Sequence, residues 1–434
     1  MTGTVLPDRA PPGMRPLWAL AYPLMVAGLT QIVLNVVDTI LLGRLSTRAL
    51  AAFALAAPVY LVALVVVRGW ATAVQVRVAQ RHGAGRPGEV AQVVRVGVVT
   101  SVAAGAVVGA LLWVLATPVL RVLGASGDLL GPGTAYLRVL AFAVPFAAVS
   151  FTLQGACAGV GATRAAMYTA LLVNAVNLPA GLLLIFHVGW GVPGAAAATL
   201  LATAAGTAFL LLYARPRLPR NADAAPGVTR DLWTIGWPEM STMGVGYVNE
   251  ALIAGFAARM GTHDLAAYRI VDNLLLIVFT ILASAATATT ILAGQDLGAA
   301  DPAQAESRRR TGTRLLLLML AIPSALILLA GTTLPALFTE DPAVADQAWQ
   351  ATPWALLSML PMVVAMTYAA LLRAAGNTRA VMIASIASDY LVLIPLAWLL
   401  GVHLGYGLHG LYLSWTAFAL TYTALLALHH HRSR

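Results

Sequence analysis

The sequence predicts an all-α integral membrane protein with twelve transmembrane helices in two six-helix lobes. Three observations predict it. The first is composition: of 434 residues, 60% are hydrophobic and 10% charged, where a soluble domain carries about a quarter charged residues. With a mean hydropathy of +0.82, a soluble enzyme is excluded, because so few charges cannot clothe a soluble surface. The second is the form of the apolar runs. They are long and continuous, as in Val96–Val119, and not the alternating ~10-residue segments of a membrane barrel. The third is a repeat at a constant offset of 215 residues.

At roughly 20 apolar residues per span, the runs in order predict helices 1 to 6 at Leu17–Leu42, Leu50–Val78, Val90–Leu120, Thr134–Ala156, Ala165–Phe186 and Val192–Tyr213. Helices 7 to 12 follow at Leu232–Ala258, Leu265–Ala293, Thr313–Phe338, Trp349–Leu372, Ala380–Leu400 and Leu404–Leu428. Helix 1 is too long for the apolar region of a cleavable signal and is expected to stay in the protein. The polar stretch between helices 6 and 7 sets the expected organisation: an N-terminal lobe at 1–213, a linker at 214–231, and a C-terminal lobe at 232–434.

All 26 basic residues are Arg, against 17 acids, giving a net charge of +9. Basicity in a soluble chain points to nucleic acid. Here the Arg residues lie between spans, which points to topology and anionic headgroups; no nucleic-acid partner is expected. Nineteen Arg residues fall at the chain ends and after even-numbered helices, including Arg77, Arg81, Arg86, Arg95 and Arg308, Arg309 and Arg310. Six fall after odd-numbered ones: Arg44, Arg48, Arg121, Arg138, Arg259 and Arg269. Arg68 lies inside helix 2. The positive-inside rule then places both termini in the cytoplasm. The lone Cys157 excludes a disulfide or a cysteine-built metal site.

The repeat pairs Pro23 with Pro238 and Leu50-Ala51-Ala52-Phe53 with Leu265-Ala266-Ala267-Tyr268. Gln80, Gly83 and Pro87 pair with Gln295, Gly298 and Pro302, and Arg95 and Gly97 with Arg310 and Gly312. Gly161-Ala162-Thr163-Arg164 pairs with Gly376-Asn377-Thr378-Arg379. Six helices per copy is an even number, so both copies run the same way. The expected relation is a pseudo-twofold along the membrane normal, with a cavity between the lobes.

Ionisable groups inside a bilayer cost at least ~2.5 kcal/mol each on insertion scales, so each needs a reason. On helix 1, Gln31, Asn35 and Asp38 share one face at i, i+4 and i+7. Asp38 lies roughly 8 Å from the outer end at 1.5 Å per residue. Apolar surroundings favour the protonated form of a carboxyl, so Asp38 is a candidate proton carrier. Arg68 sits near the cytoplasmic end of helix 2 and reads as a snorkelling, structural residue. Helix 7 aligns Glu239, Thr242, Gly246 and Glu250 on one face. Glu250, the offset counterpart of Asn35, is a candidate second proton or cation site. Asn174 and Asn177 on helix 5, Asp272 on helix 8 and Asp389 on helix 11 are expected to line a substrate or cation site. Trp18, Tyr22, Trp190, Tyr406 and Trp415 fit interfacial belts. The His429-His430-His431 run is not read as a metal site.

Motifs for other chemistry are missing. There is no Lys for a Walker loop, no His-Glu-x-x-His zinc helix and no Asp-rich diphosphate motif. No enzyme activity and no cofactor is expected. A membrane-embedded transferase would need an acidic metal cluster in one loop, and Asp296, Asp301 and Glu306 are dispersed beside Arg308–Arg310, as on a solvated surface. A lipid-linked precursor flippase would favour a deep Arg-lined cavity, whereas the polar residues in these spans are mostly acids and amides.

The chain resembles the multidrug and toxic compound extrusion (MATE) family over essentially its whole length. The resemblance rests on Val37-Asp38-Thr39 ending in Gly43, Leu50-Ala51-Ala52, Gln80 with Gly83, and Gly161-Ala162-Thr163-Arg164. It continues with Asn177 followed by Gly191-Val192-Pro193-Gly194-Ala195-Ala196, and with Gly376-Asn377-Thr378-Arg379. It implies a cation-coupled antiporter that exports organic, often cationic and amphipathic, compounds by alternating access. Asp38 falls on the family's helix 1 coupling acid, Asn177 on the Asn beside it, and Glu250 on the helix 7 acid of one branch. Gly181 stands where many members have Asp or Asn, and Asn377 stands near a helix 10 acid of that branch. The expectation is H⁺ coupling through Asp38, with Na⁺ near Asp38 and Asn177 as the alternative. A monomer in a bacterial plasma membrane, handling a small organic substrate, completes it.

Overall fold

The computed structural model describes residues 13–219, 221 and 227–432. Both chain ends and part of the 214–231 stretch lie outside the described residues. Helix is the only regular structure among the described residues. That follows from the composition: in hydrocarbon every backbone N–H and C=O must find its partner within the segment.

The first repeat begins with α1 (Met14–Leu45), α2 (Thr47–Gly83) and α3 (Pro87–Val122). At 37 residues, α2 is about 55 Å long and overshoots a ~30 Å hydrocarbon core, so its ends stand in water. Ser46 caps it, its Oγ accepting from the Ala49 N–H at 3.0 Å. The next span, α4, is a bent pair, Gly127–Ala141 and Ala143–Gly159, with a 45° angle between them. Pro145 explains the bend, because its ring excludes the carbonyl of Ala141 four residues back. The backbone of α3 approaches this bend closely: a Cβ on Gly109 would lie 2.5 Å from the Ala141 oxygen, and one on Gly105 would lie 2.8 Å from Pro145. Gly97, Ser101, Gly105 and Gly109, all buried and four apart, form the stripe that permits this contact.

The repeat closes with α5 (Arg164–His187), which widens to a π-helix over Leu183–His187, and α6 (Val192–Ala214). The turn between them needs Gly191 at φ 59°. It also needs Gly194, whose Cβ would meet the Leu184 oxygen at 2.8 Å.

The second repeat runs α7 (Val228–Met260), α8 (Thr262–Gly298), α9 (Pro302–Ala330), α10 (Pro342–Ala374), α11 (Thr378–His403) and α12 (Gly407–Arg432). The repeat read from sequence is visible in backbone detail. Gly85, at φ 66°, turns the chain between α2 and α3; its offset partner Ala300 takes φ 58° between α8 and α9. Gly161 and Gly376 form another such pair, at 86° and 80°. Gly97 faces Val74, and Gly312 faces Thr289, again 215 residues on. The π-helical end of α5 recurs in α11 over Ala397–His403.

Ten helices are individually long and apolar enough to cross a membrane, and bent α4 makes eleven. The remaining one, α7, is as long as its neighbours at 33 residues but carries Asp231, Glu239 and Glu250. With those charges it is not counted among the helices apolar enough to cross by composition. The lipid-facing sides of α3 and α9 expose Val99, Val107, Val114, Ile322, Leu326 and Leu329, an apolar belt suited to acyl chains.

The chain forms two compact units, and the division falls inside helices, not in the polar stretch at 214–231. Among the described residues, the first unit takes residues 26–240 and the second takes 13–25 and 241–432. The two cuts, Met25/Val26 and Met240/Ser241, are offset counterparts, each two residues beyond Pro23 or Pro238. The beginning of α1 belongs with the second unit because Leu17 and Ala21 are fully buried in its core, beside Ile253, Ala257 and Tyr268. Leu232 and Ile235 of α7 are buried with Trp70, Val74 and Val90 in the first unit.

The α8–α9 connection corrects one sequence expectation. Asp296, Glu306, Arg308 and Arg309 are not a solvated surface, although Arg310 is exposed. Arg308 is 2% exposed and its Nε donates to Asp296 Oδ2 at 3.0 Å. Arg309 grips Glu306 at 2.7 Å, and His430 of α12 lies 3.2 Å from the same carboxylate. Glu306 meets Arg309 and Arg310 within one helical turn, whereas Asp296 meets Arg308 across the α8–α9 connection.

Candidate functional site

In the first unit, Asp38 sits half-buried on α1, with Gln31 and Asn35 exposed along the same face. It has no hydrogen bond or ion pair with any described residue. Its electrostatic neighbour is the Tyr136 hydroxyl of α4, which is in turn within reach of Tyr60 on α2. Phe53 stands edge-on to Tyr136 at 5.7 Å. Around them Leu41, Leu42, Ala56 and Tyr136 form one apolar cluster, with Val37 packed against it. A carboxyl here has no cation to balance it, so it must be either neutralised by a bound cation or solvated through the exposed face of α1.

Asn177 on α5 is fully buried. Its Nδ2 donates to Thr199 Oγ1 on α6 at 3.2 Å, and its Oδ1 is buried with no partner. The amide is thus fixed in orientation with one acceptor unused, although a buried polar atom is normally satisfied. Asn174 does not join it: its Nδ2 donates to the Ala170 carbonyl on its own helix at 3.0 Å. Gly181 packs on α1, where a Cβ would lie 3.3 Å from Leu41 Cδ1. A larger side chain there requires Leu41 to give way.

In the second unit, Glu250 of α7 is not alone. Arg269 of α8 donates to its Oε1 at 3.2 Å, and the Tyr268 hydroxyl donates to the same oxygen at 3.4 Å. Asp272, one turn further along α8, is within electrostatic reach of both Glu250 and Arg269. Asp389 of α11 is 5% exposed; Ser385 Oγ donates to its Oδ2 at 3.3 Å. The amide of Asn249 on α7 is within hydrogen-bonding reach of the same carboxylate. Arg68 of the first unit lies over the Phe151 ring, 4.9 Å from its centroid.

Five participants escaped or were misplaced by the sequence reading. Thr199 had a weak signal, since a buried Asn needs a partner and Thr is a polar residue in an Ala- and Leu-rich helix. Asn249 was masked by its charged neighbour Glu250. Arg269 was assigned to a connection and instead faces Glu250 from within α8. Tyr60 and Tyr136 left no signal, because aromatic residues in spans are ordinary.

Comparison with known proteins follows this geometry. The sequence model of the MatE family matches residues 23–183 and 242–399, one stretch in each repeat. Multidrug resistance protein PmpM of Pseudomonas aeruginosa is 28% identical over 407 residues, covering 90% of this chain and 84% of its own. The probable multidrug resistance protein NorM of Deinococcus radiodurans is 30% identical over 419 residues, covering 93% and 92%. Among solved structures, a multidrug resistance MATE family transporter in an outward-facing conformation superimposes with a TM-score of 0.89. That match covers 100% of this chain and 98% of the other at 19% identity, a likeness of fold. With both repeats matched and a relative aligned nearly end to end, the chain belongs to the MatE family.

Proposed function

We propose that this protein is a secondary active exporter of organic, often cationic and amphipathic, compounds. It exchanges them for H⁺ across a bacterial plasma membrane, with both termini in the cytoplasm. The relatives' names support multidrug efflux. The observation that carries the coupling is Asp38, an unpaired carboxyl in an apolar cluster. Protonation from outside removes its charge and lets the polar face of α1 repack; substrate then leaves outward. In the inward-facing state the carboxyl loses the proton and its charge favours a cationic substrate. Asn177, held by Thr199 and with Oδ1 unused, supplies an acceptor on the neighbouring α5 for the same event. Coupling is assigned to Asp38 and not to Glu250, whose charge Arg269 already balances. Gln31, Asn35, Asn174 and Asp272 are assigned to lining.

The test is efflux of a fluorescent organic cation from vesicles under imposed pH or Na⁺ gradients. The expected result is transport driven by the pH gradient in the wild type and lost in Asp38→Asn. An Asp38→Asn protein that keeps full pH-driven transport refutes the assignment; transport driven only by Na⁺ replaces H⁺ with Na⁺ in it.

A further inference from the structure

A groove opens where α3 meets the first half of α4, wholly within the first unit. It has a volume of about 680 Å³ and is lined by Trp113 and Thr117 of α3 and by Leu130, Thr134, Arg138 and Phe142 of α4, among others. At 1.5 Å per residue, Thr117 lies about 7.5 Å along α3 from its end at Val122, and Trp113 about 13.5 Å. Arg138 lies about 12 Å into α4 from Leu130 on the same rise, and Phe142 is one turn deeper. The groove therefore runs from the headgroup region into one leaflet of the ~30 Å hydrocarbon core. It opens toward lipid, since Trp113 and Phe142 are 44% and 62% exposed and Val114, next to Trp113, is more than half exposed.

Arg138 carries the charge of this groove. Its guanidinium lies over the Trp113 ring, 4.8 Å from the centroid, and it forms no ion pair with any described residue. The acid nearest to it in sequence, Asp128, is taken by Arg48 at 2.7 Å. A helical side chain leans toward the N-terminus of its helix, here the headgroup end, so the guanidinium points to the mouth of the groove. A charge at this depth calls for a compensating group, and the face of an indole supplies only part of one. Two hydroxyls stand at the same level. Thr117 Oγ1 donates to Thr134 Oγ1 at 3.5 Å. Thr100 and Thr169 instead donate to carbonyls four residues back on their own helices. The Thr134 hydroxyl has no acceptor of its own among the described residues, which leaves its proton for a group in the groove.

A cation and a hydroxyl donor near the mouth, with aromatic surface deeper in, match one kind of occupant. We propose that this groove binds an anionic phospholipid of the leaflet it opens on. The phosphate meets the Arg138 guanidinium, whose paired N–H groups fit phosphate oxygens, and the Thr134 hydroxyl; an acyl chain lies along Trp113 and Phe142. A zwitterionic headgroup fits less well, because its ammonium finds Asp128 already paired. With both termini cytoplasmic, as proposed above, that leaflet is the outer one. The test reads lipid binding and neither transport nor orientation, so it fails separately from that reading.

The experiment is native mass spectrometry of the full-length protein in detergent. It is titrated with phosphatidylglycerol, with phosphatidylcholine, and with phosphatidylglycerol in excess inorganic phosphate. The expected result is a phosphatidylglycerol adduct weakened about tenfold in Arg138→Gln, the loss of one charged hydrogen-bond partner, and about threefold in Thr134→Val. Thr134→Val is close to isosteric and gives a second reading if Arg138→Gln does not fold. Arg121→Gln removes the same charge from an exposed position at the same end of α3, outside the groove, and is expected to bind as the wild type does. Equal phosphatidylglycerol affinity in the wild type and both groove variants overturns the proposal. So does an equal loss in Arg121→Gln, which marks diffuse charge attraction, or phosphatidylcholine bound as tightly as phosphatidylglycerol. Displacement of the adduct by inorganic phosphate makes a free anion the occupant and overturns the lipid.

Discussion

The turn joining α5 to α6 ties a single hydrogen atom to the proposed site. A methyl group on Gly194 would lie 2.8 Å from the Leu184 oxygen, 2.9 Å from its carbon and 3.1 Å from the Ile185 nitrogen. All three are backbone atoms and cannot rotate aside. Ordinary contact begins at 3.4 Å, so Gly194→Ala requires α6 to retreat by about 0.6 Å, with an overpacking cost of about 1–3 kcal/mol. Thr199 lies five residues further along α6. If that helix moves as a body, the 3.2 Å bond from Asn177 stretches toward about 3.8 Å, beyond hydrogen-bond range. Asn177 then loses the partner that fixes its orientation. The expected outcome is a lower thermal unfolding midpoint in detergent, together with weakened pH-driven efflux although Asp38 is intact. Gly131→Ala, at a helical glycine with nothing within 4 Å, is the control and should keep wild-type efflux with a midpoint no lower than the wild type. A Gly194→Ala protein with wild-type midpoint and wild-type efflux would refute the reasoning.

Two further outcomes concern the second unit. Ala300 holds φ 58° where its counterpart Gly85 holds φ 66°, and the left-handed region costs a residue with a Cβ about 1–2 kcal/mol. Because glycine gives up chain entropy in return, Ala300→Gly is expected to stabilise by up to about 1 kcal/mol, read as a raised thermal midpoint. The Arg308–Asp296 pair is almost fully removed from solvent. Asp296→Asn alone should cost about 3–5 kcal/mol by removing the carboxylate that pairs with a buried guanidinium, while Asp296→Leu combined with Arg308→Met should regain much of the loss. A double-mutant cycle on thermal unfolding checks this: purely additive losses would show that the pair is not coupled.

How far the sequence reached depended on the range of the physics involved. The helices follow from runs of apolar residues, and the duplication from a constant spacing of Pro, Gly, Gln and Arg. Both are local or periodic properties, and neither needs a neighbour to be known. Asp38 was legible for the same reason, since an acid in an apolar run stands out wherever the run packs. α7 shows the limit of that logic. It has the length of a span, but Asp231, Glu239 and Glu250 give it a polarity whose handling, burial for Glu239 and pairing with Arg269 for Glu250, only the packed helices show.

Partnership was the part that sequence could not supply. Glu250 looked like an isolated site until α8 placed Arg269 against it at 3.2 Å. The acids of the α8–α9 connection looked solvated until Arg308 of α9 met Asp296 and His430 of α12 met Glu306. The division into compact units belongs here as well, because Leu17 and Ala21 carry no mark in sequence that assigns them to the second unit's core. The cost of a charge depends on what lies within a few ångströms of it, in a direction set by side-chain rotation about each helix. The sequence by itself therefore determined a twelve-helix, twice-repeated membrane protein with a short set of polar residues in its spans. The tertiary structure decided which of those residues have a charged partner, as Glu250 has in Arg269, and which, as Asp38, have none among the described residues.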